Sequence, residues 1–109
     1  MLELSPPQAS HTVPDRTDYR ELHRSTDLSV GVYDIPTSGD DPQQPHTEDE
    51  VYVVLAGRAR LVGPDESIAL GPGSVVFVAA GEEHRFVDVQ EPLSVVVVFG
   101  PAEGSRGDA

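Results

Sequence analysis

His46, Glu50 and His84 have the side-chain types and the settings expected of ligands to a divalent transition metal. Two of them lie in the polar segment Gln44-Pro45-His46-Thr47-Glu48-Asp49-Glu50, which runs directly into the apolar stretch Val51 to Ala56 and stops at Gly57. The third follows Gly73, Ala79 and Gly81, with Asp88 beyond it. Two imidazoles and one carboxylate leave coordination positions open. Such a centre suits Fe(II) chemistry with O₂, or a Lewis-acid role in which the metal polarises a substrate oxygen. Glu50 stands at the edge of an apolar run, where an unpaired carboxylate is costly and tends to take up a proton. A bound cation removes that penalty, and the same reasoning covers His84, which opens another apolar stretch.

The elements that must position these groups are short and β-rich. Tyr19 to Arg24, Leu28 to Ile35, Glu50 to Ala56, Arg58 to Val62, Ser67 to Leu70, Ser74 to Ala79, His84 to Val89 and Leu93 to Phe99 all read as strands, separated by Gly, Pro and Asp turns. Val is the commonest residue, and its β-branched side chain suits strands over helices. No stretch carries sustained helical spacing. Gly57 marks a hairpin or a sharp bend, and Gly57 and Gly81 are expected at positive φ. In an extended segment Gln44, His46, Glu48 and Glu50 share one face, although Pro45 bends it. Tyr52 falls on the same face as Glu50, so it either lines an enclosed space or packs in the core; Tyr33 is a further hydroxyl near that space. Three strands, Val51 to Ala56, Val75 to Ala80 and Val95 to Phe99, are apolar without alternation, which implies cover on both faces. A homodimer is the economical source of that cover, and the chain's own N-terminal arm is the rival.

The chain has 109 residues, enough for one domain with a modest core. Residues 1–16, with Pro6, Pro7 and Pro14, read as an extended arm, 17–100 as the β domain, and 101–109 as a flexible tail. Cysteine is absent, which excludes disulfides, thiolate ligands and cysteine nucleophiles. Nineteen acidic residues against seven arginines and no lysine give a formal charge of −12. That field repels nucleic-acid phosphates and anionic lipid, so neither is an expected partner. No apolar run approaches the roughly 20 residues that span a bilayer, and a cytoplasmic protein is the expectation. His11 and His23 lie outside any motif and read as surface or strand residues. Arg58, Arg60 and Arg85 read as solvated charges at strand edges.

At this point the sequence resembles the cupin superfamily. The family's second motif is Gly, five residues, Pro, one residue, Gly, two residues, His, three residues, Asn; here Gly73, Ala79, Gly81, His84 and Asp88 keep that spacing. The first motif is His-x-His, three or four residues, Glu, six residues, Gly. His46, Glu50 and Gly57 keep it, Gln44 stands in place of the first His, and Gly39 is one residue nearer than the leading Gly of the pattern. The resemblance covers residues 39 to 88. It implies an all-β, jelly-roll-like double-stranded β-helix, a conical cupin barrel holding one divalent metal (Fe, Mn, Zn, Ni or Cu) on His46, Glu50 and His84. Gln44 would be a fourth ligand through its amide oxygen, or Glu48 if the loop bends differently. The family spans dioxygenases, isomerases, decarboxylases and lyases. The expected activity is therefore metal-dependent chemistry on a small oxygen-bearing substrate, dioxygenase-like ahead of isomerase or lyase. Glu48 is the near candidate for a base, and Tyr52 steers substrate or water. The alternative is a non-catalytic module that binds or senses a small molecule.

Overall fold

The computed structural model describes residues 1–4, 16–37, 41 and 45–106. Six strands follow in order: β1 Asp18–Arg24, β2 Ser29–Ile35, β3 Asp49–Val62, β4 Ser67–Leu70, β5 Val75–Val78 and β6 Arg85–Gly100. All pairings are antiparallel, in the order β1-β2-β6-β3-β4, with β5 on the first half of β3. No α-helix occurs among the described residues, and hence none long and apolar enough to cross a membrane. The all-β double-stranded β-helix expected from the sequence is the fold observed.

Two pairs of expected strands are in fact single long ones. β3 runs through Gly57 and β6 runs through Pro92, and the two bend together. Their register slips between Val54 and Arg60, where Gly57 adopts φ +94°. A Cβ at Gly57 would stand 2.2 Å from the Pro92 carbonyl oxygen, so backbone conformation and space both require glycine. On the partner strand, Asp88 takes φ +51° within a bulge, the left-handed conformation that Asp and Asn tolerate better than other side chains. Because of these bends, the first half of β3 (Glu50 to Val53) pairs with β5 and the end of β6. Its second half (Ala59 to Val62) pairs with β4 and the start of β6. One sheet is thereby folded into two facing layers.

Between the layers lies a core built on Ile35, Val54, Leu61, Phe86, Leu93 and Val95, all at most 4% exposed. Each such side chain contributes about 1.5–3 kcal/mol by leaving water. Burial alternates along the start of β3 even though the sequence does not. Glu50, Tyr52 and Val54 face inward, whereas Val51 and Val53 face outward and are only half-buried. Beside them on the outer face, Val75 and Phe77 are 66% and 61% exposed. Within one chain the second cover expected for these strands is thus incomplete.

Residues 101–106, expected to be part of a flexible tail, are tied down. Gly104 and Arg106 donate their backbone N–H groups to the Glu48 carboxylate at 2.9 and 3.0 Å, and Glu103 N–H reaches Ser29 Oγ at 2.9 Å. Ala102 is buried beneath this turn. The composition of the segment suggested fraying; a distant buried acceptor, invisible to local sequence patterns, overrides it. Residues 107–109 and most of the N-terminal arm (5–15) lie outside the described residues.

Candidate functional site

The two motif segments are stitched together through backbone groups. Gly81, at φ +79°, donates its N–H to the His46 carbonyl at 2.7 Å, and Ala80 N–H reaches Asp49 Oδ1 at 2.9 Å. A tight turn precedes His84: Glu82 N–H bonds the Ala79 carbonyl, and the Glu82 side chain accepts the Ala79 N–H, both at 3.0 Å. These contacts fix where the segment of β3 carrying Glu50 meets the loop carrying His84.

His84 is buried, and its two ring nitrogens have different partners. Nδ1 stands 2.8 Å from the Glu82 carbonyl oxygen. A carbonyl only accepts, so Nδ1 carries the proton and Nε2 is the nitrogen presented to the interior. Nε2 lies 2.8 Å from Glu50 Oε1 and 2.9 Å from the Tyr52 hydroxyl. The approach to Glu50 is close but poorly aligned. Both Glu50 oxygens are buried and, among the described residues, neither accepts a well-directed hydrogen bond. We therefore treat the contact as an ion-pair approach. Burial alone pulls the His84 pKa down, but the Glu50 carboxylate, the Glu82 carbonyl and the field of Asp41 outweigh it, and the net shift is upward.

A cation fits this pair. Two adjacent ligands on an ion with bonds of about 2.1 Å stand about 3 Å apart, close to the 2.8 Å seen between Nε2 and Oε1. The proton held on Nδ1 by a carbonyl is the arrangement that orients a metal-ligating histidine. The orphaned Glu50 oxygens are the acceptors a cation would satisfy. The third expected donor is less close. The His46 ring centroid is 6.1 Å from that of His84, about 1 Å wider than imidazoles in neighbouring positions on one ion. Its ring packs edge-to-face on Phe99, with Nδ1 3.7 Å from Glu103 Oε2. Among the described residues no three His, Asp or Glu side chains are gathered closely enough to hold a metal ion. Gln44 lies outside the described residues.

Of the two residues considered for catalysis, the structure separates their surroundings. Tyr52 faces the cavity and touches His84. Glu48 is buried elsewhere, its oxygens occupied by Thr47 Oγ1 and by the N–H groups of Gly104 and Arg106. Burial would raise its pKa, yet these donors and the charge of His46 prevail and lower it. The structure thus engages both oxygens of Glu48, the residue expected as a candidate base or fourth ligand, with partners of its own. The i, i+2 pattern put it on the Glu50 face; the bend ahead of β3 turns it away.

The cavity beside these groups has a volume of about 240 Å³. Tyr19, Tyr33, Tyr52 and Phe99 form much of its wall, with Glu50, His46 and Glu103. Register explains the gathering: Glu50 pairs with Phe99, Tyr52 with Val97, Val97 with Gly31, and Tyr33 with Tyr19. Gly31 leaves a gap that the Tyr19 ring fills, since a Cβ there would stand 2.2 Å from its hydroxyl oxygen. Tyr33 donates to Asp41 Oδ1 at 2.6 Å, and Asp41 also takes the Phe86 N–H at 2.7 Å. Sequence reasoning missed Tyr19 and Glu103. Tyr19 was legible only as a strand residue, and Glu103 sat in a segment read as tail. Arg58, Arg60 and Arg85 do not line this cavity.

Comparison with known proteins now places the chain. Residues 31–99 match the cupin domain family, Cupin_2, and the chain belongs to it. An uncharacterized protein of Streptomyces coelicolor is 42% identical over 85 residues, spanning 78% of this chain and 81% of that one. The crystal structure of an RmlC-like cupin protein from Desulfovibrio desulfuricans superposes with a TM-score of 0.81 at 19% identity, covering 94% of this chain and 99% of that one. The DMSP lyase DddQ from Ruegeria pomeroyi gives a TM-score of 0.74 at 26% identity over 87% of this chain and 50% of its own. Structures similar to this one thus include enzymes as well as proteins described only by fold.

Proposed function

We propose that this cupin is a metal-dependent enzyme acting on a small oxygen-bearing substrate, by dioxygenase-like, isomerase or lyase chemistry. Glu50 and His84 would hold one divalent transition metal with His46 as the third donor, and Gln44 is the proposed fourth. The observation that carries this reading is the buried Glu50 carboxylate without a directed partner, set 2.8 Å from the Nε2 of a histidine whose other nitrogen is held by a carbonyl. When bound, the metal would supply Lewis acidity and open positions for substrate or O₂. Tyr52 would orient the substrate or a water beside His84, and the aromatic wall would limit access of bulk water. A lyase among the structures similar to this one is compatible with the reading and does not select the reaction.

A second reading is a binding or sensing module without turnover. The Tyr52 hydroxyl on Nε2 and the 6.1 Å separation of the two imidazoles favour it, because they describe a polar cluster that closes without an ion. Metal analysis of protein made in metal-defined medium, paired with O₂-consumption screening, separates the two. The enzyme reading expects about one metal per chain, lost on His84→Ala with the fold retained, and turnover abolished by chelator. Less than about 0.1 metal per chain across the divalent ions sinks it, since donors held together by the fold should capture one when it is supplied.

A further inference from the structure

The cavity has an unusual charge balance for its size. Its walls bring together four aromatic rings and two carboxylates, and neither arginine nor lysine lines it. The rings are set as adjoining walls, not as a stack: Tyr19 stands at 68° to Tyr33 and at 77° to Phe99, with centroids 6.2 and 6.5 Å apart. Steeply tilted rings turn π faces in more than one direction, and a π face attracts a cation.

Negative potential is concentrated on the same side. Glu50 and Glu103 both line the cavity, and Glu21 and Glu48 stand near enough to Glu103 for their charges to act on it, with Arg24 and His46 opposing them. A positive charge placed there would relieve that crowding. The phenols of Tyr19 and Tyr33 are pushed toward their neutral form, by burial first and then by adjacent carboxylates, so they stay donors. The Tyr19 hydroxyl is buried with no hydrogen-bond partner among the described residues, which leaves a donor for an oxygen on a ligand. An anion would confront Glu50 and Glu103. A pure hydrocarbon would leave the Tyr19 hydroxyl and the Glu50 carboxylate uncompensated.

We infer that this cavity takes a small organic cation, an alkylated ammonium compound bearing an oxygen, with its charge beside the Glu103 carboxylate and against the aromatic rings that line the cavity. The inference rests on the proposed role of the cavity as the ligand site, and it does not require the metal. At about 240 Å³ the space is below that of pockets for drug-sized molecules, which restricts the ligand to a few heavy atoms. The surrounding charge of −12 would draw such a cation toward the protein.

Titration of chelator-treated protein with choline, with its neutral carbon isostere 3,3-dimethylbutan-1-ol, and with the anion 3,3-dimethylbutanoate tests this. Calorimetry or tyrosine fluorescence, unobscured because the chain has no tryptophan, would follow binding. Choline should bind about tenfold tighter than the alcohol, and the anion weakest of the three. Glu103→Gln should weaken choline about fivefold while leaving the alcohol unchanged, and Tyr19→Leu should weaken choline in an otherwise folded protein. Equal affinity for choline and the alcohol, preference for the anion, no binding of any probe, or parallel loss of choline and alcohol in Glu103→Gln would each overturn the inference. Choline selectivity in a protein that captures no metal would sustain it and sink the metalloenzyme reading. Metal capture without choline selectivity would do the reverse.

Discussion

Tyr52 and His84 meet through the one ring nitrogen that faces the interior, the phenol oxygen 2.9 Å from Nε2. With Nδ1 committed to the Glu82 carbonyl, Nε2 has one position to offer, a lone pair on the neutral ring or an N–H on the imidazolium, and the Tyr52 hydroxyl stands at it beside Glu50. A metal at Nε2 must displace that hydrogen bond. Tyr52→Phe removes the competitor while keeping the ring that packs 4.8 Å from Phe86. It should leave metal uptake undiminished or several-fold tighter, at a stability cost of about 1 kcal/mol for the lost bond. Competition with a calibrated chelator and a thermal melt measure the two effects. A variant that binds metal tenfold more weakly would make Tyr52 a supporting ligand instead of a rival.

Glu48 gives a second prediction, for stability. Its carboxylate gathers the N–H groups of Gly104 and Arg106 and the Thr47 hydroxyl, so it anchors the C-terminal turn across more than fifty residues of sequence. Glu48→Ala removes three hydrogen bonds to a charged acceptor and should cost about 1–3 kcal/mol. The same bonds set a pH dependence. The folded pKa lies below the ordinary 4.5, so the stabilisation is fully present above that value and is lost as pH falls through the lowered folded pKa. Denaturant melts from pH 6 downward should converge for wild type and Glu48→Ala. Curves that stay parallel to the lowest pH would assign the stabilisation to packing.

Much of this arrangement was legible before any coordinates. Val-rich runs between Gly and Pro turns defined an all-β domain, and the spacing of Gly73, Gly81 and His84 identified the turn that presents His84. Local rules failed where a long-range partner decides the outcome. Gly57 read equally as hairpin or bend, because only the opposing Pro92 shows that two strands curve as one. Glu48 shared an i, i+2 relation with Glu50, but its acceptors are claimed by a turn near the other end of the chain. Tyr19 joins the cavity because Gly31, on the neighbouring strand, leaves room for its ring, and no single-strand pattern encodes that. His46 and His84 are brought to neighbouring positions by backbone bonds, yet the 6.1 Å between their rings depends on rotamers that spacing does not specify.

Glycines with similar φ should respond very differently to one methyl group. Gly57 and Gly73 both sit in the left-handed region, at +94° and +91°. A Cβ at Gly73 meets nothing within 4 Å, whereas one at Gly57 collides with the Pro92 and Leu93 backbone. Gly73→Ala should therefore cost only the conformational penalty, about 1–2 kcal/mol. Gly57→Ala should cost at least twice as much, or prevent folding, because backbone cannot move aside without opening the β3–β6 bend. Chemical denaturation of the two variants decides the matter; equal losses would mean that the bend is more pliable than its packing indicates.

The outward face of β3 and β5 carries the last prediction. Val51 pairs with Phe77 and Val53 with Val75, placing four apolar side chains on one surface, and Val96 and Val98 of β6 continue it. Phe77 and Val75 are mostly exposed in the single chain, and neighbouring apolar side chains of this kind mark a candidate interaction surface. A twofold pairing of these faces would bury them in a self-complementary contact, which is the proposed homodimer. Light scattering should then report twice the 11.7 kDa chain mass, and Phe77→Asp should yield a folded monomer, because a charge at the centre of an apolar contact is unpaired in the dimer and solvated in the monomer. A wild-type monomer at micromolar concentration would exclude the pairing and leave Phe77 as an exposed ring.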